Sequence, residues 1–407
     1  MAQKDKHNIH LVRRTLVPLL IVTLPISAMV AYILYYKKAY RPAAVESVSQ
    51  QAASFGGDSW TIFRGDAALT GRAAGNLPDK LTLAWKFQTA EAVRSTPIVA
   101  NAKAFVSSMD KHLYAIDLKT GSEIWKFAAD DELEASGLYH NETVYVGSNK
   151  GTFYAVNAVS GEPVWTFEAE GKITGSANVA MCPETGRGVI LLGSYDNNLY
   201  CLDAETGKRV FEYPAESYIN GSVAVADNAA AFGSCDANIY QVPIADPNAA
   251  KTVNAGSYVA TNPAIHAGVI YAGSYEGMFL AADAKTQKIL WKFEEAEDAF
   301  LSAPAVNNAV VVVGCRDQNV YCLDRSSGEK IWTFSAQDNF DSSPVICGDK
   351  IAIGCDDGRL YLLDIKTGKE VFSYTLGSPV ISSSAIAQNH LLIGCDNGTV
   401  YAFIEKP

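Results

Sequence analysis

Positive charge is scarce in this chain, with 33 Lys and Arg against 44 Asp and Glu and a formal net charge of −11. Neutralising a phosphate backbone needs clustered cations, so the balance argues against a general nucleic-acid binder and mostly serves solubility. Histidine is rare as well. His112, His140, His266 and His390 fall at separate turns or strand starts, and His7 and His10 precede the first apolar run. None shares a local motif with a nucleophile. No C-x-x-C spacing occurs among the eight cysteines, so zinc and dithiol motifs of that type are absent. A calcium loop of Asp-x-Asp type is also missing, since Asp356-Asp357-Gly358 reads as one turn among equivalents.

What is present is a repeat. The stretch VSSMDKHLYAIDLKTGSEIWKF at 106–127 is written again and again, and its tyrosine slot holds Tyr114, Tyr154, Tyr200, Tyr240, Leu280, Tyr321, Tyr361 and Tyr401. A period of about 40–45 residues with strand-type patterning marks a propeller. Each unit reads as four strands: in the first, about 94–99, 104–108, 113–118 and 123–128. A glycine serves the last turn (Gly121, Gly161, Gly207, Gly328, Gly368), and an aspartate that ends the third strand (117, 203, 283, 324, 364) is suited to hold that turn's amides. Trp125, Trp165, Trp291 and Trp332 belong to the outer strands. Cys315, Cys355 and Cys395 stand where other copies have Ser148, Ser194 and Ser274. Slots shared by Ser and Cys are packing positions, so reduced thiols are expected.

Two incomplete units complete each other. LTLAWKF at 81–87, with Trp85, has the outer strand alone, and the last copy has a third strand with no outer one. The N-terminal strand therefore closes an eight-bladed, all-β ring of four-stranded antiparallel blades, removing open edges that would template aggregation. Blade four departs from the pattern, with Pro243 in the aspartate slot and ADPNAAK at 245–251 in place of the Thr-Gly turn. A proline there points to an exposed edge.

Ahead of the ring, residues 1–14 are polar and basic, and 15–36 run 22 residues without a charge. As a helix this is roughly 33 Å, enough to cross a hydrocarbon core of about 30 Å. The apolar run is longer than a cleavable signal, no A-x-A site follows, and no nearby cysteine offers a lipid attachment point. The expected order is a cytoplasmic 1–14, a single-pass signal anchor at 15–36, a tether at 37–58 and a propeller over 59–407. That order places the propeller on the periplasmic side of a bacterial inner membrane. WTIFRGDAALTG at 60–71 reads as a leading segment lying against the ring.

WTIFRGDAALTG followed by AWKF, STPIV, SSMDKHLYAIDLKTG and IWKF resembles the PQQ-like β-propeller repeat family over about 60–403. Members include quinoprotein dehydrogenases and BamB-type scaffold subunits of outer-membrane assembly machinery, so the resemblance implies the fold and leaves activity open. A dehydrogenase of this family would stack its quinone between a tryptophan and a disulfide of adjacent cysteines, with acidic and Asn ligands on Ca²⁺. This chain has no Cys-Cys pair and no tryptophan left over from the repeat beyond Trp60. No catalytic, cofactor or metal residue is therefore assigned.

Binding is then expected on a face. Turns between second and third strands share a face with the loops that lead to the next blade, and that face collects most of the acids. The opposite face collects lysines such as Lys119, Lys285 and Lys366. Twenty residues before each repeat tyrosine (twenty-six in blade three), Arg94, Glu134, Thr174, Asn220, Ala260, Leu301, Asp341 and Ile381 should ring the channel mouth on the acidic face. Arg94, Glu134, Thr174, Asn220 and Asp341 are the candidate partner-binding residues. The expected molecule is a monomeric propeller working as a non-catalytic scaffold for a protein partner. A PQQ-dependent oxidoreductase and a glycan- or ligand-binding propeller are the alternatives.

Overall fold

Eight sheets of four antiparallel strands, one of them extended by a short fifth strand, make the blades of a closed propeller in the computed structural model, which describes residues 55–406 apart from Ala260. The anchor and most of the tether expected from the sequence lie outside the described residues. Among the described residues no helix is long and apolar enough to cross a membrane.

Blade one shows how the pattern folds. Ile98–Ala100, Lys103–Ser107, His112–Asp117 and Glu123–Ala128 pair in sequence order. In the third strand Leu113, Tyr114, Ala115 and Ile116 are all buried, because a middle strand is covered by the neighbouring blade on each face. The outer strand alternates exposed and half-buried residues, as a strand with one wet face should.

The inner strand is shorter than expected, beginning at Ile98 and not near residue 94. The reason is that amides just before it bond around the ring and not along the blade. Thr96 N–H donates to Ser136 Oγ at 2.7 Å, Ser136 N–H to Ser176 Oγ at 3.0 Å, and Ser176 N–H to Ser222 Oγ at 2.9 Å. Ser222 N–H donates to Asn262 Oδ1, and on the far side Ala303 N–H donates to Ser343 and Ser343 N–H to Ser383, each at 2.9 Å. A girdle of side chains thus satisfies buried amides that have no ladder partner.

Blades are stapled edge to edge by tryptophan. Trp85, Trp125, Trp165, Trp291 and Trp332 each donate Nε1–H to a carbonyl of the next blade, at Leu118, Ala158, Ala204, Arg325 and Ile365. Each ring lies over the turn glycine of that blade. A Cβ on Gly121, Gly161, Gly207, Gly328 or Gly368 would come within 2.5–2.8 Å of it. The glycine thus serves the turn's positive φ and also makes room for its neighbour's indole. The turn itself is held by the aspartate, as at Asp117, whose Oδ1 accepts from Thr120 N–H at 2.7 Å and Thr120 Oγ1–H at 2.8 Å.

Closure is as the two half-units imply: Leu81–Gln88 pairs antiparallel with Thr399–Glu405 and becomes the outer strand of blade eight. Pro243 ends the third strand of blade four and pairs with Ala229. The outer strand there, Lys251–Asn254, reaches only as far as Gln241, so no ladder donor is needed at the proline.

Candidate functional site

The channel is a well, open on one face and shut on the other. The leading segment does more than lie against the ring: it crosses the end of the channel and touches all eight blades. Gly57 O accepts from Gln388 N–H, Trp60 exchanges two bonds with Val99, and Thr61 O accepts from Tyr139 N–H. Ala67 O takes both Asn178 Nδ2–H and Val225 N–H. Ala68, Thr70 and Gly71 carbonyls take Ile265, Val306 and Ile346 N–H. Arg72–Ala73 then runs parallel to Val345–Cys347. Inner-strand donors that would face an open channel are satisfied by this plug. Arg64, 1 % exposed, points its Nη2 at the carbonyls of Pro304 and Pro344. Burial lowers its pKa, with Asp66 opposing the shift.

The open end faces the side bearing the second-to-third-strand turns. Arg94, Glu134, Thr174, Asn220, Leu301, Asp341 and Ile381 line one cavity of about 150 Å³ there, with Phe63 of the plug also in its wall. The five residues singled out from the sequence are thus brought together around one mouth. Ala260 lies outside the described residues. The sequence reading missed the next layer down, the girdle Thr96, Ser136, Ser176, Ser222, Asn262, Ser343 and Ser383, which lines the same cavity. Its signal was a small hydroxyl or amide two positions after every mouth residue except Leu301, which is followed there by Ala303.

Charge at the mouth is organised in pairs. Arg94 Nη2 reaches Asp396 Oδ2 at 3.1 Å, and Arg316 grips Asp341 through Nε at 2.8 Å and Nη2 at 2.7 Å. Bonding to Asp396 raises the Arg94 pKa, and bonding to Asp341 raises that of Arg316. Farther out, Lys111 meets Asp131 and Lys150 meets Asp130. Four of the few cations on this face are therefore spoken for, and the remaining acids dominate its field. Asp356 sits among them with Oδ1 buried and unpartnered. Burial, then Asp341 and Asp338, push its carboxyl up to about 7.

A second feature missed in the sequence is aromatic. Tyr218, Tyr258 and Tyr275 are 51 %, 58 % and 51 % exposed on the same face at blades four and five, and Tyr195 of blade three stacks on Tyr218 with centroids 5.3 Å apart. Met109, Asn149, Cys235, Arg316, Asp356 and Asp396 hold the slot of Tyr195 and Tyr275 in other blades. One half of the rim is therefore tyrosine and the other ionic.

Seven of the eight thiols are buried and all are free. Cys315 Sγ–H donates to Asp298 O at 3.1 Å, as Ser194 Oγ–H does to Gly171 O at 3.1 Å in another copy, so the two residues are interchangeable as hydrogen-bond donors. Burial pushes Cys201 and Cys322 up to about 12. Among the described residues no three His, Cys, Asp or Glu side chains lie close enough to hold a metal ion. A quinone does not fit the mouth: about 150 Å³ is well below the roughly 300–1,000 Å³ of ordinary ligand pockets, and no tryptophan lines it.

The family model described as outer membrane protein assembly factor BamB matches residues 79–138, 120–334 and 248–406. No curated protein matches the sequence. Among solved structures, BamB from Moraxella catarrhalis superposes with a TM-score of 0.67 at 17 % identity, over 80 % of this chain and 100 % of that one. Quinohemoprotein alcohol dehydrogenase from Comamonas testosteroni gives 0.72 at 15 % identity over 85 % and 80 %, and the computationally designed Ika8 protein 0.69 at 16 % over 79 % and 99 %. An assembly factor, a dehydrogenase and a design share the fold, which by itself does not select a function.

Proposed function

This chain belongs to the propeller family whose model is described as outer membrane protein assembly factor BamB, and from that premise we propose that it is a non-catalytic scaffold that binds a protein partner across its acidic face. The observation that carries this reading is the rim itself. Exposed Tyr218, Tyr258 and Tyr275 stand beside a mouth whose cations are already paired, above a well too small for a cofactor. Exposed aromatics with a polar surround are what protein interfaces use as anchors. An excess of carboxylates favours a basic partner segment and speeds its encounter.

The charge-free run at 15–36 supports single-pass anchoring, with the propeller held on the extracytoplasmic side by the tether at 37–58. Photocrosslinkers placed at Glu134 and Asp341 in the full chain, in intact cells, should capture one discrete partner. A crosslinker at Lys366, on the opposite face, should not. Capture from Lys366 alone would reject the acidic face. Dye reduction that depends on added pyrroloquinoline quinone and Ca²⁺ would reject the scaffold reading altogether.

A further inference from the structure

The ionic half of the rim is an arc of three matched positions, and the middle one has no counter-ion. The second-to-third-strand turns of blades six, seven and eight place Arg316, Asp356 and Asp396 in equivalent slots. Their amides bond alike, to the carbonyls of Ala299, Asn339 and Pro379, each at 3.0 Å. Two of the three side chains reach the mouth residue of the following blade. Arg316 of blade six grips Asp341 of blade seven, and Asp396 of blade eight meets Arg94 of blade one, the next around the ring. The step of 25 residues that links Arg316 to Asp341 leads from Asp356 to Ile381. Ile381, in the wall of the well, offers neither a charge nor a side-chain hydrogen bond.

Asp356 is therefore a carboxyl among charges that do not neutralise it. Its Oδ1 is buried, and among the described residues no group donates to it. Facing it are Asp338 and Asp341 from the loop that enters blade seven, Asp396 from blade eight and Arg316 from blade six. Of these only Arg316 is a cation, and its Nε and Nη2 are committed to Asp341. Neighbours on its own turn do not compensate. Asp357 accepts from Tyr361 Oη–H at 2.5 Å, and Cys355 is a thiol whose pKa burial raises. Burial and like charges both disfavour an ionised carboxyl, in keeping with one held at about 7.

We propose that Asp356 is a proton-operated switch in the rim, created by the isoleucine that takes its partner's place at 381. Protonated, it leaves Arg316 with Asp341 and Arg94 with Asp396 as two closed ion pairs, so the arc carries no net charge. Ionised, it adds one negative charge and competes with Asp341 for Arg316, whose guanidinium still has Nη1 to offer. Asp341 lines the well, so Arg316 carries the change from the turn to the mouth. The arc thus passes from neutral to singly negative as pH rises through neutrality. A basic partner should bind more tightly above that point, and by reciprocity its binding should release a proton. That consequence rests on the scaffold reading, whereas the switch belongs to the free chain.

The test therefore reads the full chain alone, and its failure is distinct from failure to find a partner. NMR of ¹³C-labelled aspartate carboxyls reports their protonation, and the signal lost in Asp356→Asn identifies Asp356. Its midpoint should lie at about 7, and the Nε resonance of Arg316 should move with the same midpoint. Ile381→Arg supplies the missing partner as Arg94 does for Asp396, and should lower the Asp356 midpoint by about 1–3 pH units. Ile381→Leu adds no charge and should leave the midpoint in place. A wild-type midpoint near the ordinary value of about 3.9 would overturn the switch whatever the position-381 variants show. So would an unmoved midpoint in a folded Ile381→Arg protein, or an Arg316 signal indifferent to pH.

Discussion

At the scale of single residues, the turn glycines and the tryptophans above them act as one unit. Gly161 has φ of 76° and a prospective Cβ 2.8 Å from the Trp125 ring. Gly161→Ala should cost on the order of 1–3 kcal/mol through backbone strain and displacement of the indole. Trp125 is half-buried, so Trp125→Ala should cost less than the about 3–5 kcal/mol of a fully buried tryptophan. Because the two share one contact, their effects should fall short of adding, and a double-mutant cycle on urea midpoints would measure the shortfall. Asp356 yields a prediction with a definite sign. Its folded pKa, about 7, lies above the unfolded value near 3.9. Between those values the folded state holds a proton that the unfolded state has released. The residue therefore weakens the fold progressively as pH rises from about 4 to 7, and its cost is complete above that. Asp356→Asn should stabilise the protein at pH 8, with the gain shrinking towards pH 4. A gain that stays constant across those pH values would mean that burial near Asp341 and Asp338 does not perturb this carboxyl.

At the scale of elements, the inner strands hold together by a device invisible to strand propensity. The girdle amides point sideways, and each depends on a hydroxyl or amide from the next blade. Ser176→Ala leaves the buried Ser136 N–H without an acceptor, which should cost about 1–3 kcal/mol, whereas Ser122→Ala on an exposed turn should cost little. Thermal denaturation of the two variants side by side would decide whether the girdle is structural. The closing strand is a second element with an outsized role. Lys86 sits opposite Tyr401 in the pairing of Leu81–Gln88 with Thr399–Glu405. Lys86→Pro should disrupt that ladder and bare the edge of blade eight. Size-exclusion chromatography should then show association in place of a single species, and a variant that stays monodisperse and equally stable would contradict closure by this strand. Outer strands elsewhere carry a bulge beside the tryptophan slot, as between Ala115 and Ile116 or Cys322 and Leu323. Bulged, twisted edges are poor templates for a second chain.

At the scale of the whole molecule, the plug makes the two faces unequal. One face is a shallow acidic well with a tyrosine rim, and the other is closed by residues that bond to every blade. Binding at the rim should therefore weaken with salt if the partner is basic, with the steepest change in association rate. Surface plasmon resonance of the crosslinked partner at two ionic strengths would read this. A rate indifferent to salt would leave the tyrosines, and not the carboxylates, as the basis of recognition.

Strand order, blade number and the closing strand were legible in the sequence because a repeat states its own periodicity, and an unmatched strand at each end can be satisfied only by joining them. The ring at the mouth was legible for the same reason: equal spacing from a repeat tyrosine implies an equal place in the blade. The charge split between faces is an expectation read from turn chemistry alone. Tertiary structure decided the rest. That Trp85 needs Gly121 and that residues 55–74 seal the channel both depend on contacts between units, which a one-dimensional period does not encode. Local pattern fixes what each blade is. Only packing between blades decides how they are joined and which end of the channel is shut.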